Sequence, residues 1–353
     1  MSSYRLTQSA KPSSKKSSKI WKYGIRMTYL VFQWARWDYE YLQRALGPEC
    51  RVVFSKDCKQ RVLRYLSGSI PAVWRSKKND SIVCWYDVQA VLCWWICHLL
   101  CLKRNIVCIN ILLKQKPTLK NRLVSMLYKK ALKSRNFKAS VTSEAYGKWL
   151  NGRLGIDVDY TLLHDVYHDY YEHPELKESE QDIVFCGGCY GRDWPLMMEI
   201  VKAMPEVKFY LVMTEVGVKD LRQHGYKKEK DYPKNVRVLV NIPYQQFMKC
   251  LCQSKVVCMP LNCESPQGLI VMFEAAANDK LILTSDTPTT EEYFDQGQRL
   301  GKDAEDWSSV IRYYLAHDDE RREKAQAFHR YLKETCGEKP FAETVERMVQ
   351  SKK

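Results

Sequence analysis

Two carboxylates ten residues apart, Glu264 and Glu274, flank a turn glycine, Gly268, in the stretch ESPQGLIVMFEAAANDKLIL. An ionised carboxylate accepts two hydroxyl hydrogen bonds at once, which is the chemistry of gripping a ribose or a sugar diol. Pro266, Gln267, Gly268 and Leu269 open a helix there, and the amides of a helix N-terminus bind phosphate without side-chain help. Upstream stands FCGGCYGRDWP. Its Gly187 and Gly188 permit positive φ and close backbone approach. Arg192 can fork two phosphate oxygens, and Pro195 suits a first helical turn. Between the two lies NIPYQQF, where Ile242, Pro243 and Tyr244 make a turn whose backbone can meet a nucleobase. Each segment taken alone is also explained as an ordinary loop between a strand and a helix.

These residues need elements to hold them. The apolar run 256–259 reads as a buried strand, 269–277 as a helix rich in small residues, and 281–284 as a second buried strand. That βαβ unit puts its polar residues at the carboxyl ends of strands, the edge where open α/β sheets bind ligands. The same alternation runs through the whole chain. Strands are expected at 25–32, 51–55, 82–86, 106–112 and 138–142, and helices near 39–45 and at 88–102, 119–133 and 144–153. After an acidic, Pro-containing stretch (168–182) the pattern restarts. Strands are then expected at 183–186, 208–213 and 236–240, and helices at 195–203, 218–223 and 244–252. The C-terminal end (307–316, 319–335, 341–349) reads as helical. Strand–helix alternation with near-continuous apolar strands marks parallel sheets covered on both faces. The expected fold class is α/β: two doubly wound Rossmann-like domains facing a central cleft, with C-terminal helices. The expected boundaries are a basic tail at 1–20, an N-terminal domain at 21–172, a linker at 173–182, a second domain at 183–330, and a C-terminal helix at 331–353 packing back on the first domain.

At 353 residues the chain is long enough for two cores. Its charge is divided unevenly. Residues 1–153 hold 30 Lys and Arg against 7 Asp and Glu, whereas 154–353 hold 26 against 34. Such a split implies different partners for the two halves, with the basic half drawn to phosphates on anionic lipid or nucleic acid. The first twenty residues, including Lys11, Lys15, Lys16 and Lys19, lack the apolar core of a secretory signal. The longest apolar run, 88–102, is too short to span a bilayer. Most of the 14 cysteines lie in apolar runs and read as small core residues of a reducing compartment. Cys186 and Cys189 form a CxxC without a second pair, which argues against zinc or redox chemistry. Asp87 ends a strand and reads as a helix N-terminal residue more than as a reacting group.

The three motifs occur in order, as GGCYGRDW, NIPYQQF and ESPQGLIVMFEAAANDKLIL. Together they resemble the C-terminal domain of GT-B glycosyltransferases, specifically the retaining glycosyltransferase family 4, or group 1, over roughly residues 181–295. The N-terminal half resembles that family only in its βα layout and in RLVSMLYKKALKS ahead of the strand ending in VTSE. The chain departs from the family pattern in four places. The two carboxylates are ten apart rather than eight. Cys189 stands where an Arg is expected. Gln33, Trp34, Ala35, Arg36 and Trp37 replace a Gly-rich loop. An N-domain histidine has no counterpart.

The resemblance implies sugar transfer from a nucleotide-diphosphate sugar to an acceptor hydroxyl, with retention and without a metal or other cofactor. By that resemblance Arg192 and the amides near Gly268 take the diphosphate, with Gly187 and Gly188 alongside. Glu274 holds the ribose and Ile242 to Tyr244 flank the base; Glu264 and Arg192 are the catalytic residues, Glu264 holding the donor sugar hydroxyls or stabilising positive charge at the sugar ring as the leaving group departs. The basic half implies a lipid-linked or saccharide acceptor at an anionic membrane surface. It places the chain in the cytoplasm, peripheral on the inner face of the cell membrane, with Trp34, Arg36 and Trp37 as interfacial anchors and helices 88–102 and 119–133 adding apolar contact. The alternatives are an inactive GT-B subunit that binds a partner, a sugar-nucleotide epimerase on the same fold, and a basic nucleic-acid-binding protein; no nucleic-acid module is present.

Overall fold

The computed structural model describes residues 26–34, 39–113 and 119–351. The expectations for the basic tail, Ala35, Arg36 and Trp37 lie outside them. The first lobe is built from β1 (Thr28–Phe32), α1 (Glu40–Leu46), β2 (Cys50–Phe54), α2 (Arg61–Arg75), β3 (Ser81–Cys84) and α3 (Asp87–Leu99). It continues through β4 (Asn105–Cys108), α4 (Leu119–Leu132), β5 (Phe137–Val141), α5 (Glu144–Leu154) and β6 (Thr161–Leu162). The second lobe runs β7 (Ile183–Gly188), α6 (Trp194–Ala203), β8 (Lys208–Met213), α7 (Glu215–Gln223), β9 (Val236–Val240) and α8 (Tyr244–Gln253). Then come β10 (Val256–Met259), α9 (Leu269–Ala277), β11 (Leu281–Ser285), β12 (Arg299–Leu300), α10 (Ala304–Ala316), α11 (Asp318–Cys336) and α12 (Glu338–Gln350).

Each lobe is one six-stranded sheet, ordered β2-β1-β3-β4-β5-β6 and β12-β11-β10-β7-β8-β9. All the strand pairs are parallel. The inner strands bury both faces, as the apolar runs of β3, β10 and β11 require. The strand order reverses between β1 and β3 in one lobe and between β7 and β10 in the other. Ligands of such sheets bind at these switch points, and both open on the same cleft.

Three elements differ from the expectation: helix α2 and the two-residue strands β6 and β12. The α2 sequence carries Gly68, Ser69 and Pro71, which are poor helix formers. Tertiary packing overrides propensity: a Cβ on Gly68 would stand 2.5 Å from Ser55 Oγ and 2.8 Å from Gln89 Nε2, so glycine lets α2 sit close against the sheet and α3.

The chain crosses between lobes through short 3-10 turns at Asp169–Tyr171 and Pro174–Ser179. It crosses back at Gly337, the break between α11 and α12, where Tyr167 N–H donates to Cys336 O at 2.8 Å. Phe341, Ala342, Val345 and Met348 of α12 then bury themselves among Leu30, Phe32, Leu42 and Val83 of the first lobe. Cys186 lies buried in β7, where burial pushes its thiol up to about 12, whereas Cys189 is exposed; both are free thiols.

Candidate active site

A cleft of about 750 Å³ lies between the lobes, over the carboxyl ends of both sheets. Its second-lobe wall is made by the segments after β8 and β9 together with the loops that follow β7 and β10. These loops are stitched together: Asp193 N–H donates to Pro260 O at 2.8 Å and Asn262 N–H to Gly191 O at 3.0 Å. Asp193 also caps α6, its carboxylate accepting from Leu196 N–H at 3.1 Å. Arg192 is thereby folded inward and is 4% exposed.

The Arg192 guanidinium donates from Nε to Gly187 O at 2.8 Å and from Nη1 to Tyr190 O at 2.9 Å. Among the described residues it has no carboxylate partner, and burial pulls its pKa down. A buried cation served only by carbonyls is costly unless an anion joins it. The two glycines beside it make room. Gly188 has φ +127°, and a Cβ there would stand 2.3 Å from Nη2; Gly268 has φ +91°, and a Cβ there would stand 2.9 Å from Nη1.

Gly268 is also the left-handed N-cap of α9, without a side-chain cap. The first amides of a helix have no intrahelical partner, and here they belong to Leu269, Ile270 and Val271, all on the cleft wall. The guanidinium and a helix N-terminus therefore converge on one spot suited to a diphosphate.

Glu274 projects from the next turn of α9 and is 4% exposed. Burial pushes its carboxyl up to about 7, while the hydrogen bond from Tyr244 Oη to Oε1, at 2.8 Å, works against that rise. Tyr244 opens α8 after Pro243, and Ile242 stands before them at the end of β9.

The structure brings together Gly188, Arg192, Ile242 and Tyr244 with Pro266, Gln267, Gly268, Leu269 and Glu274 on one cleft. Gly187 stands one residue back and contributes its carbonyl to Arg192. Pro243 is not on the cleft wall, and neither is Glu264, which is partly buried in the loop behind it and offers its main-chain carbonyl to Thr289 Oγ1. The expectation that Glu264 reaches the donor sugar rests on the family resemblance alone. Pro266 and Gln267 of the same loop line the cleft.

The first-lobe wall was mostly missed from sequence. Trp85, Tyr86, Asn110, Thr142, Asp165 and His168 line it. The loops after β3 and β4 follow the switch point, but the strand order that reveals this is not written in the spacing. Asp87 also lines the cleft, yet its carboxylate is engaged, accepting from Val88 N–H at 2.7 Å and Leu112 N–H at 3.1 Å. His168 Nδ1 lies 2.8 Å from Glu338 Oε1 and ties α12 to this wall. Desolvation raises the Asp165 carboxyl above its ordinary value. Trp34 is partly buried, edge-on to Tyr86 and under the Arg64 guanidinium.

Comparison with known proteins agrees with this geometry. Residues 192–336 match the family model described as glycosyl transferase-like. No curated protein matches the chain in sequence. HepE of Anabaena, solved with UDP and glucose, superposes with a TM-score of 0.66 at 11% identity over 93% of this chain and 100% of its own. The UDP-forming α,α-trehalose-phosphate synthase of Burkholderia vietnamiensis superposes at 0.64 and 10% identity, over 92% of this chain and 100% of its own. The fold is that of the GT-B glycosyltransferases. The second lobe thus carries a glycosyl transferase-like domain on a GT-B fold.

Proposed function

We propose that the chain moves a sugar from a nucleotide-diphosphate donor to an acceptor hydroxyl with retention at the anomeric carbon. The observation that carries this reading is the buried Arg192 guanidinium, without a carboxylate partner among the described residues, beside the uncapped start of α9 and on one cleft with Glu274. HepE was solved with UDP and with UDP-glucose, which makes a uridine diphosphate sugar the first donor class to test.

In this reading Arg192 and the α9 amides hold the diphosphate. As the bond from the sugar C1 to the phosphate oxygen breaks, its electron pair stays on the leaving diphosphate, whose charge those donors stabilise without metal help, while the acceptor hydroxyl oxygen bonds to C1 on the face just vacated and gives its proton to the departing phosphate oxygen. Glu274 holds the ribose hydroxyls, and Ile242 and Tyr244 border the base. The acceptor enters over the first-lobe wall.

That acceptor is proposed to be a lipid-linked saccharide or polysaccharide precursor at an anionic membrane surface on the cytoplasmic side. Leu119, Leu123, Met126 and Leu127 of α4 are exposed, and Arg122, Lys130 and Lys133 stand exposed nearby. Exposed Leu112, just ahead of α4, lines the cleft. An apolar stripe with cationic flanks suits the headgroup region, with each Lys or Arg near such a surface contributing about 1 kcal/mol. Helix α3 offers less, since its middle is buried and exposure is confined to its end, at His98 and Leu99, with Leu100 just beyond. Among the described residues no helix is long and apolar enough to cross a membrane.

A second reading, a donor-binding relative without turnover, is favoured by Cys189 standing where the family pattern has an Arg and by the ten-residue spacing of Glu264 and Glu274. A thermal-shift screen against UDP-, GDP-, ADP- and dTDP-sugars, followed by an assay for released nucleotide, separates the two. Stabilisation by one sugar nucleotide with turnover supports transfer. Stabilisation without turnover supports the binding-only relative, and no stabilisation by any of them contradicts both.

A further inference from the structure

Glu274 is nearly sealed from solvent, and among the described residues the one hydrogen bond its carboxylate accepts comes from the Tyr244 hydroxyl, at 2.8 Å. The two residues are thirty apart in sequence and come from different helices, α8 and α9. Both line the cleft. Tyr244 is 52% exposed, so much of its ring faces open space. It is the first residue of its helix, and its neighbours are aromatic: Phe247 lies parallel at a centroid distance of 6.5 Å, and His173 lies at 6.5 Å. The half-exposed ring is thus held by two aromatic neighbours and, at its tip, by a single hydrogen bond.

A carboxylate that grips a ribose uses both oxygens toward two hydroxyls. One of those positions is held here by a hydroxyl of the chain itself. We infer that Tyr244 mimics a ribose hydroxyl on Glu274, so that the donor must displace it, and Tyr244 is a positioning residue that sets nucleotide affinity by competition. This rests on the proposed donor site at Glu274. The tyrosine offsets the burial of the carboxylate when no sugar hydroxyl is there, and it sharpens selection, since only a ligand that replaces the lost hydrogen bond gains by removing it.

The test is isothermal titration of the full chain with UDP and with 2′,3′-dideoxy-UDP, using wild type and Tyr244→Phe. Phenylalanine keeps the ring and its stacking, and a thermal melt confirms that the variant is folded. The expected result is UDP binding about tenfold tighter in Tyr244→Phe, the size of one charged hydrogen bond no longer in competition. The gain is confined to UDP, because the dideoxy analogue has no hydroxyl to give Glu274. Equal or weaker UDP binding by Tyr244→Phe, where wild type binds UDP, overturns the inference and leaves the donor site standing. An equal gain for both ligands does the same. Absence of UDP binding in both proteins overturns the inference together with the reading beneath it.

Discussion

Glu274 is a buried acid on the cleft wall, so its ionisation bears directly on stability. Burial lifts its carboxyl from 4.5 to about 7. Between those values the native state holds a proton that the unfolded chain has released, so stability falls as pH rises through that window and levels off above it. At about 1.4 kcal/mol per pH unit, the cost approaches roughly 3 kcal/mol at pH 8. Glu274→Gln keeps an acceptor for Tyr244 and removes the charge. It is expected to melt like wild type near pH 4.5 and higher than wild type at pH 8, while losing nucleotide binding. Equal melting temperatures at pH 8 would contradict the burial of a charge there. At this scale the sequence was readable where a residue sits in a local motif: Glu274 follows a turn glycine, and Arg192 follows a double glycine. Tyr244 and Glu274 pair across two helices, and Asp165 and His168 reach the cleft from another lobe. Neither relation leaves a mark in local spacing.

At the scale of elements, the donor wall depends on two loops that must pass close to a buried guanidinium. Gly188 is the tightest point, with a left-handed φ and Nη2 of Arg192 where a Cβ would sit. Gly188→Ala is expected to cost about 1–3 kcal/mol in urea unfolding and to weaken UDP binding by at least tenfold, because Arg192 must move. Unchanged UDP affinity would show that Arg192 is not the diphosphate ligand. Strand and helix positions were largely legible, because parallel strands buried on both faces appear as short apolar runs. Helix α2 was not, since its Gly, Ser and Pro residues serve close packing against α3 and hide the helical signal. Strand β6, only Thr161–Leu162, is too short to show a pattern.

The whole molecule is two sheets whose carboxyl ends meet at one cleft, joined by the apolar packing of α12 and by polar contacts beside the cleft. Ser143 Oγ donates to Pro288 O at 2.6 Å, and Glu292 accepts from Glu144 N–H at 3.1 Å while its other oxygen lies 3.0 Å from His164 Nε2. Tyr293 Oη donates to Thr142 O and accepts from Asp165 N–H, each at 3.1 Å. These cross-lobe pairs were invisible in the sequence for the same reason that the two-lobe layout was visible: repeats show, but docking does not. The uneven charge also belongs to this scale. Flotation with anionic vesicles at low salt is expected to carry the protein, and replacing Leu123 and Met126 of α4 with Asp is expected to reduce it several-fold. Flotation unaffected by those changes would move the membrane contact elsewhere. The central claim, that one cleft holds a nucleotide diphosphate between Arg192 and Glu274, is tested most directly by calorimetric titration of UDP into wild type, Arg192→Ala and Glu274→Ala. The account predicts binding to wild type and at least a tenfold loss in each variant, with Arg192→Ala ceasing to prefer UDP over uridine. Undiminished binding in both folded variants would contradict it.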